Sequence, residues 1–200
     1  MRDSSTTKGR GASFNTPNRF EKTHLEPLDI EVLYEEDEPQ LKTVFYMDSS
    51  KSILAKNDSP DLPFTYSINP YRGCEHGCIY CYARPSHEYL GFSAGLDFES
   101  KIMVKLDAAK LLEETLQKRS WEAQMVAFSG NTDCYKPIER KLQLTRQCLE
   151  VFLKYRNPLG VITKNALVLR DLDIFQEMAK YDLIHIMISI TSLDADLIRV

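Results

Sequence analysis

From Phe64 onward, apolar and polar positions fall into an ordered alternation of two periods. Phe64-Thr-Tyr-Ser-Ile-Asn69 alternates with the two-residue period of a strand and stops at Pro70. Lys101–Lys105 is a second, short extended candidate. Asp107 stands as an N-cap before a helix to about Arg119, with Ala109, Leu112 and Leu116 at helical spacing and Glu114 and Lys118 as an i,i+4 pair. Met125–Phe128 is a compact apolar run closed by Ser129-Gly130-Asn131, which predicts a buried strand. Pro137 suits the first turn of a helix to about Tyr155, whose stripe is Ile138, Leu142, Thr145, Leu149 and Phe152. Leu159–Thr163 predicts a strand, and Asp171–Lys180 a helix with Ile174, Phe175 and Met178 inward. Ile184–Ile190 is the most apolar strand and is expected to be the most buried, while Asp194 caps a further helix.

Strands alternating with helices predict an α/β fold on a parallel sheet. Right-handed crossovers curl such a series toward a (β/α) barrel, and ligands gather at the carboxyl ends of its strands. The loop after Pro70, the Ser129–Asp133 turn and Thr163-Lys164 all follow predicted strand ends, which argues for one shared rim. Residues 1–60 read differently, as an irregular arm before a core spanning 61–200. The arm is rich in Ser, Thr, Asn and Pro, with one short extended piece expected at Thr43–Met47. Its residues 1–22 carry five basic and two acidic groups, whereas 23–40 carry seven acids and no Lys or Arg.

Composition narrows the class. Hydrophobic residues make up 43% and charged residues 27% of 200, ordinary for a globular chain. No apolar run approaches the ~18 residues of a membrane span, and the first residues lack the apolar segment of a secretory signal. A cytoplasmic protein is expected, with its five cysteines reduced. The net charge of −4 gives no general attraction to nucleic acid. The basic residues from Lys136 to Arg156 are expected to scatter over a solvated helix surface.

The densest chemistry is Tyr71-Arg-Gly-Cys-Glu-His-Gly-Cys-Ile-Tyr-Cys-Tyr82. Cys74, Cys78 and Cys81 form a Cys-x3-Cys-x2-Cys run with no fourth cysteine nearby. Closed zinc and iron–sulfur sites take four protein ligands, so three thiolates on a cubane leave one iron open to something else. Gly73 and Gly77 let the backbone wrap closely by adopting positive φ. The alternative is a non-catalytic module, either zinc completed by His76, His87 or Cys134 or a structural iron–sulfur centre. His87, Glu88 and Tyr89 read as a loop that packs, and Asp97 and Glu99 have no assignable partner.

This spacing resembles the signature of radical S-adenosylmethionine (SAM) enzymes, with Tyr80 as the aromatic residue before the third cysteine. The wider run Ser67–Gly91, together with Ser129-Gly-Asn-Thr-Asp-Cys-Tyr-Lys-Pro-Ile-Glu-Arg140, resembles the spore photoproduct lyase-related branch, often labelled "DNA repair photolyase". The resemblance implies a [4Fe–4S] cluster on the three cysteines, with SAM chelating the fourth iron. One-electron reduction by a flavodoxin or ferredoxin would then yield a 5′-deoxyadenosyl radical that abstracts hydrogen. The substrate stays open, with nucleic acid among the candidates. Ser129, Gly130, Asn131, Thr132 and Asp133 lie where the family has its Gly-Gly-Glu-like turn for the methionyl amine. Lys164 is read either as a partner of the cofactor carboxylate or as a solvated lysine, and Ser189 as a cofactor contact or a backbone-bonded serine. Cys134 is either a hydrogen-atom donor, as related lyases use, or a core cysteine. The family barrel usually has six βα units and this chain shows about four, so a fragment or truncated gene of weak stability is expected.

Overall fold

Two β-sheets organise the chain, each in its own unit. The structure, a computed structural model, describes residues 9–16 and 42–194. One unit comprises Met1–Lys51 with Pro70–Asp107, and the other Ser52–Asn69 with Ala108–Val200.

In the first unit, β1 (Val44–Met47) pairs parallel with β5 (Lys101–Val104), which pairs antiparallel with β4 (Tyr71–Arg72). Between β4 and β5 run the cysteine loop, a 3-10 helix (Arg84–Leu90) and α1 (Leu96–Ser100). Phe45, Tyr71, Phe92, Phe98, Ile102 and Val104 are among its buried apolar residues. Its sheet is clamped by Lys105, whose side chain is 3% exposed and donates to Asp48 at 3.2 Å and to the Ser50 carbonyl at 2.8 Å. Arg72 reaches the other Asp48 oxygen at 3.0 Å. Burial acts to raise the Asp48 pKa, but hydrogen bonds from Ser50 and the charges of Arg72 and Lys105 outweigh it and leave the carboxyl below its ordinary value.

In the second unit, β3 (Tyr66–Ile68), β6 (Val126–Phe128), β7 (Leu159–Thr163) and β8 (Ile184–Ile188) lie side by side in chain order, all parallel. β2 (Leu54–Lys56) adds an antiparallel edge beside β3. α2 (Ala108–Leu116), α3 (Glu139–Leu142), α4 (Leu144–Lys154) and α5 (Leu172–Ala179) supply the crossovers. Every residue of β6 is buried, as a strand covered on both faces requires. Leu112 and Leu116 of α2, Cys148, Leu149 and Phe152 of α4, and Ile174, Phe175 and Met178 of α5 build one core with Ile68, Phe128, Leu159 and Val161. This is the α/β alternation with parallel pairing that the hydrophobic pattern predicts. Trp121 packs on Tyr66 with ring centroids 5.2 Å apart and donates to Asn157 at 2.9 Å.

Three expectations change. β1 is the short extended piece expected at Thr43–Met47, but β2 adds a paired strand at Leu54–Lys56 that was not expected. The long helix expected from Pro137 is broken at Gln143, which takes a left-handed φ of 53°. The break has a local cause: the buried Glu139 carboxylate accepts the Thr145 N–H at 3.1 Å, capping α4 from the preceding turn. β8 is apolar but is the edge of its sheet and mostly exposed, Met187 by 63%. Its apolarity does not bury it because, among the described residues, no strand pairs with its far side. The helix expected after Asp194 lies outside the described residues.

Basic residues near α4 are not uniformly solvated either. Lys136 is fully buried. Asp171, also fully buried, accepts the Tyr135 hydroxyl at 3.0 Å, Arg146 at 3.0 Å and Arg170 through two nitrogens at 2.8 Å. Arg170 also reaches Glu139 at 2.8 Å. Buried carboxylates need such paired donors.

Candidate functional site

Two sets of residues carry the chemistry, one on each unit. In the first unit the chain leaves β4 into Gly73 and the cysteine loop. Gly73 (φ 77°) and Gly77 (φ 63°) both take the left-handed conformation, as the sequence predicts. A Cβ on Gly73 would stand 3.0 Å from His87 Cε1, Ile102 Cδ1 and the Phe98 carbonyl, so the loop closes tightly there. The Cys74 N–H donates to the Phe98 carbonyl at 2.8 Å, and the Cys81 N–H to the Cys78 carbonyl at 3.3 Å. Cys74 is buried with Ala83 and Phe98, Cys81 packs against that cluster, and Cys78 is half-buried. None of the five cysteines is in a disulfide. Among the described residues, no three His, Cys, Asp or Glu side chains stand close enough to hold a metal ion as placed. The donor set nevertheless suits an iron–sulfur group: three reduced thiols on one tightly turned loop.

Tyr80 is 61% exposed on the same loop, beside the exposed Ile79 and Tyr82. His87 is buried, stacked on Phe92 at 5.1 Å and edge-on to Phe98 at 5.5 Å, so it is a packing residue of the 3-10 helix. Arg84 and Glu99, which form an ion pair at 2.5 Å beneath the loop, went unassigned in the sequence. Two opposite charges fifteen residues apart carry no periodic signal, so only the fold identifies the pair.

In the second unit, the carboxyl ends of four parallel strands form a hydrogen-bonded rim. The Ser129 N–H donates to the Ile68 carbonyl at 3.1 Å, and Asn69 Nδ2 donates to Thr132 Oγ1 at 2.9 Å and to the Thr132 carbonyl. Asp133 Oδ1 accepts the Tyr135 N–H at 2.9 Å and the Thr163 hydroxyl at 2.8 Å, while Oδ2 accepts the Lys164 N–H at 2.9 Å. The Ser189 N–H reaches the Thr163 carbonyl at 2.9 Å. Ser129, Gly130, Asn131, Thr132, Asp133, Lys164 and Ser189 are thus brought to one rim. Ser129 takes φ 74° without being glycine, a strained conformation of the kind found at binding turns. Asn131 and Lys164 are exposed there, whereas Thr132 and Asp133 are buried. Ser189 follows the exposed edge strand, which corrects its expected place on the most buried strand.

Cys134 turns away from the rim. It is fully buried in the hydrophobic core, its N–H donates to the Ser129 hydroxyl at 2.7 Å, and its carbonyl accepts from Thr145 at 2.8 Å. Burial, then the nearby Asp133 charge, pushes its thiol well above the ordinary value. The alternative of a core cysteine describes this placement. Tyr135 and Glu139 belong to the buried ionic network around Asp171 and Arg170.

The chain is thus an α/β protein with a three-cysteine loop and a polar rim at parallel strand ends. The radical SAM superfamily model matches residues 68–200, more than half of the chain, and the chain belongs to that superfamily. Uncharacterized protein Rv2578c of Mycobacterium tuberculosis is 38% identical over 150 residues, covering 74% of this chain and 44% of that protein. Uncharacterized protein Mb2609c of Mycobacterium bovis matches to the same extent. Uncharacterized protein MJ0683 of Methanocaldococcus jannaschii is 33% identical over 117 residues, covering 58% of this chain and 42% of that protein. The chain therefore spans less than half the length of these curated relatives. No solved structure matches. Among the described residues, no helix is long and apolar enough to cross a membrane.

Proposed function

We propose that this chain carries the catalytic core of a radical SAM enzyme, with Cys74, Cys78 and Cys81 as ligands of a [4Fe–4S] cluster and the second unit's rim as the SAM site. The observation that carries this reading is the loop of three cysteines outside any disulfide, turned at two left-handed glycines, within the region matching the superfamily. When bound, the cluster and SAM supply one-electron cleavage of a sulfonium and a carbon radical that takes hydrogen from a substrate. The residues bind and orient. The Ser129–Thr132 turn offers polar groups to an α-amino acid moiety, and the exposed Lys164 ammonium complements its carboxylate. A barrel curvature of β3, β6, β7 and β8 would cup that ligand at their carboxyl ends. The exposed Tyr80 offers an aromatic face for a purine. A small one-electron reductant such as flavodoxin or ferredoxin would supply the electron. The resemblance to the lyase-related branch favours a lyase-type reaction, with nucleic acid as the first substrate class to test.

Anaerobic reconstitution tests the reading directly. Iron and sulfide near four each per chain are expected for a cubane. Dithionite with SAM should then release 5′-deoxyadenosine, and Cys78→Ala should abolish both results. Zinc alone, or a loaded cluster that leaves SAM intact, would replace the enzyme reading with a structural metal module.

A further inference from the structure

Residues 9–16 lie against the cysteine loop, and their contacts converge on one buried acid. Glu99 is fully buried, and its carboxylate accepts the Arg10 N–H at 2.8 Å and the Gly11 N–H at 3.1 Å. It also takes the Arg84 guanidinium at 2.5 Å. Arg84 in turn donates to the Cys78 carbonyl through Nε at 3.3 Å and Nη2 at 3.1 Å, and to the Gly95 carbonyl at 3.2 Å. The Arg10 side chain closes the set, donating to the Glu99 carbonyl at 2.9 Å and to Thr43 at 3.3 Å. Further along, Asn15 exchanges hydrogen bonds with Asp97, side chain to side chain at 2.8 Å and back to its side chain from the Asp97 N–H at 2.9 Å. The contact leaves no spare room. A Cβ on Gly11 would overlap the Gly77 carbonyl, and a Cβ on Gly77 would overlap Arg10.

We propose that residues 9–16 are a clasp that, through Glu99 and Arg84 as positioning residues, holds the cysteine loop in the shape that presents Cys78 and Cys81 to a metal cluster. This rests on the metal-ligand reading of the loop. A buried carboxylate is tolerated only while its donors are present, and two of those donors are main-chain amides of the clasp. Losing them leaves Arg84 as the chief partner of Glu99 and frees Arg84 from its single orientation. The planar guanidinium suits this place because the acceptors are spread over Nε, Nη1 and Nη2, whereas a lysine offers its donors from a single nitrogen. Groups that orient metal ligands in this way typically change metal affinity or activity about 10- to 100-fold when lost.

Gly11→Ala is the sharpest test, because it lifts the clasp from Gly77 while removing no hydrogen-bonding side chain. Glu99→Gln is the second variant, and Lys180→Ala, on the other unit, the control. Each is checked for folding by circular dichroism, then read three ways: iodoacetamide labelling rates of Cys78 and Cys81 in the metal-free chain, iron bound after reconstitution, and the electron paramagnetic resonance spectrum of the reduced cluster. Both variants should label faster, bind iron at least about 10-fold more weakly at limiting supply and show a shifted or broadened signal. Wild-type labelling, iron and spectrum in folded Gly11→Ala and Glu99→Gln chains would overturn the clasp. If the unaltered chain binds no iron, the metal reading fails instead, and faster labelling still supports a clasp on the loop. Should Gly11→Ala not fold, Glu99→Gln alone decides by the same measures.

Discussion

Asp133→Asn separates a structural carboxylate from a cofactor-binding one. In the structure Asp133 is buried, and its oxygens accept from the Tyr135 N–H and Thr163 hydroxyl on Oδ1 and from the Lys164 N–H on Oδ2. An asparagine keeps one acceptor oxygen. Its better orientation leaves that oxygen facing Tyr135 and Thr163, which turns the amide NH2 toward the Lys164 N–H, donor against donor. A hydrogen bond to a charged group contributes about 1.5–3 kcal/mol, and an unmet buried donor costs about 1–3 kcal/mol. These overlap in part, so a loss of about 2–3 kcal/mol is expected. Thr163→Val should cost about 1 kcal/mol, and the double variant should be less than additive because loss of the Asp133 charge already weakens the bond from the Thr163 hydroxyl. Trp121, the single tryptophan, lies in the same unit and packs on Tyr66, so its fluorescence in urea reports this unit's unfolding. A loss below about 0.5 kcal/mol at unchanged m-value would refute the reasoning. Weaker SAM binding at full stability would instead make Asp133 a direct cofactor ligand.

Phe152→Ala deletes a fully buried ring that faces Phe128 with centroids 6.4 Å apart; unfolding followed by Trp121 should show a loss of about 3–5 kcal/mol. Asp48→Asn should change the acid limb of stability. The folded carboxyl lies below its ordinary value of 3.8, so its contribution is present above that value and is lost as pH falls through the lower, folded one. An acid titration in which wild type and Asp48→Asn converge only below about pH 3.8 is the expected result. Thiol counting by mass spectrometry at pH 8 should label Cys78 and Cys81 first, since both are half-buried. Cys134 and Cys148 should label only on unfolding, because burial raises both thiols and shields them; early modification of Cys134 would restore the hydrogen-donor reading.

Legibility in the sequence followed the range of the interaction. Val126–Phe128, Leu159–Thr163 and the α5 stripe Ile174, Phe175 and Met178 were readable because burial repeats at the period of a single element. Gly73 and Gly77 were readable because a left-handed turn selects glycine locally. β8 misled for the converse reason: Ile184–Ile188 has the composition of a covered strand, yet burial needs a neighbour, and composition does not supply one. β2 escaped notice because three residues cannot establish a period.

The site shows the same division at higher stakes. The Cys-x3-Cys-x2-Cys spacing and the rim turn are compact motifs, so both stand out in the sequence without the fold. What orients them is not compact. Glu99 meets residues eighty-eight and eighty-nine positions earlier, and Asp171 meets Tyr135 thirty-six positions before it. Isolated charges look like solvated surface in one dimension, since exposed acids far outnumber buried ones. Only pairing distinguishes them, and pairing is a property of the fold. Two acids that read as featureless, Asp97 and Glu99, thereby turn out to hold residues 9–16 beside the cysteines. Support for the cysteine loop from side chains so distant in sequence implies that, in a chain truncated near its start, Cys78 becomes reactive at lower urea than unfolds the second unit's core, an order that Cys78 labelling and Trp121 fluorescence resolve in one urea titration.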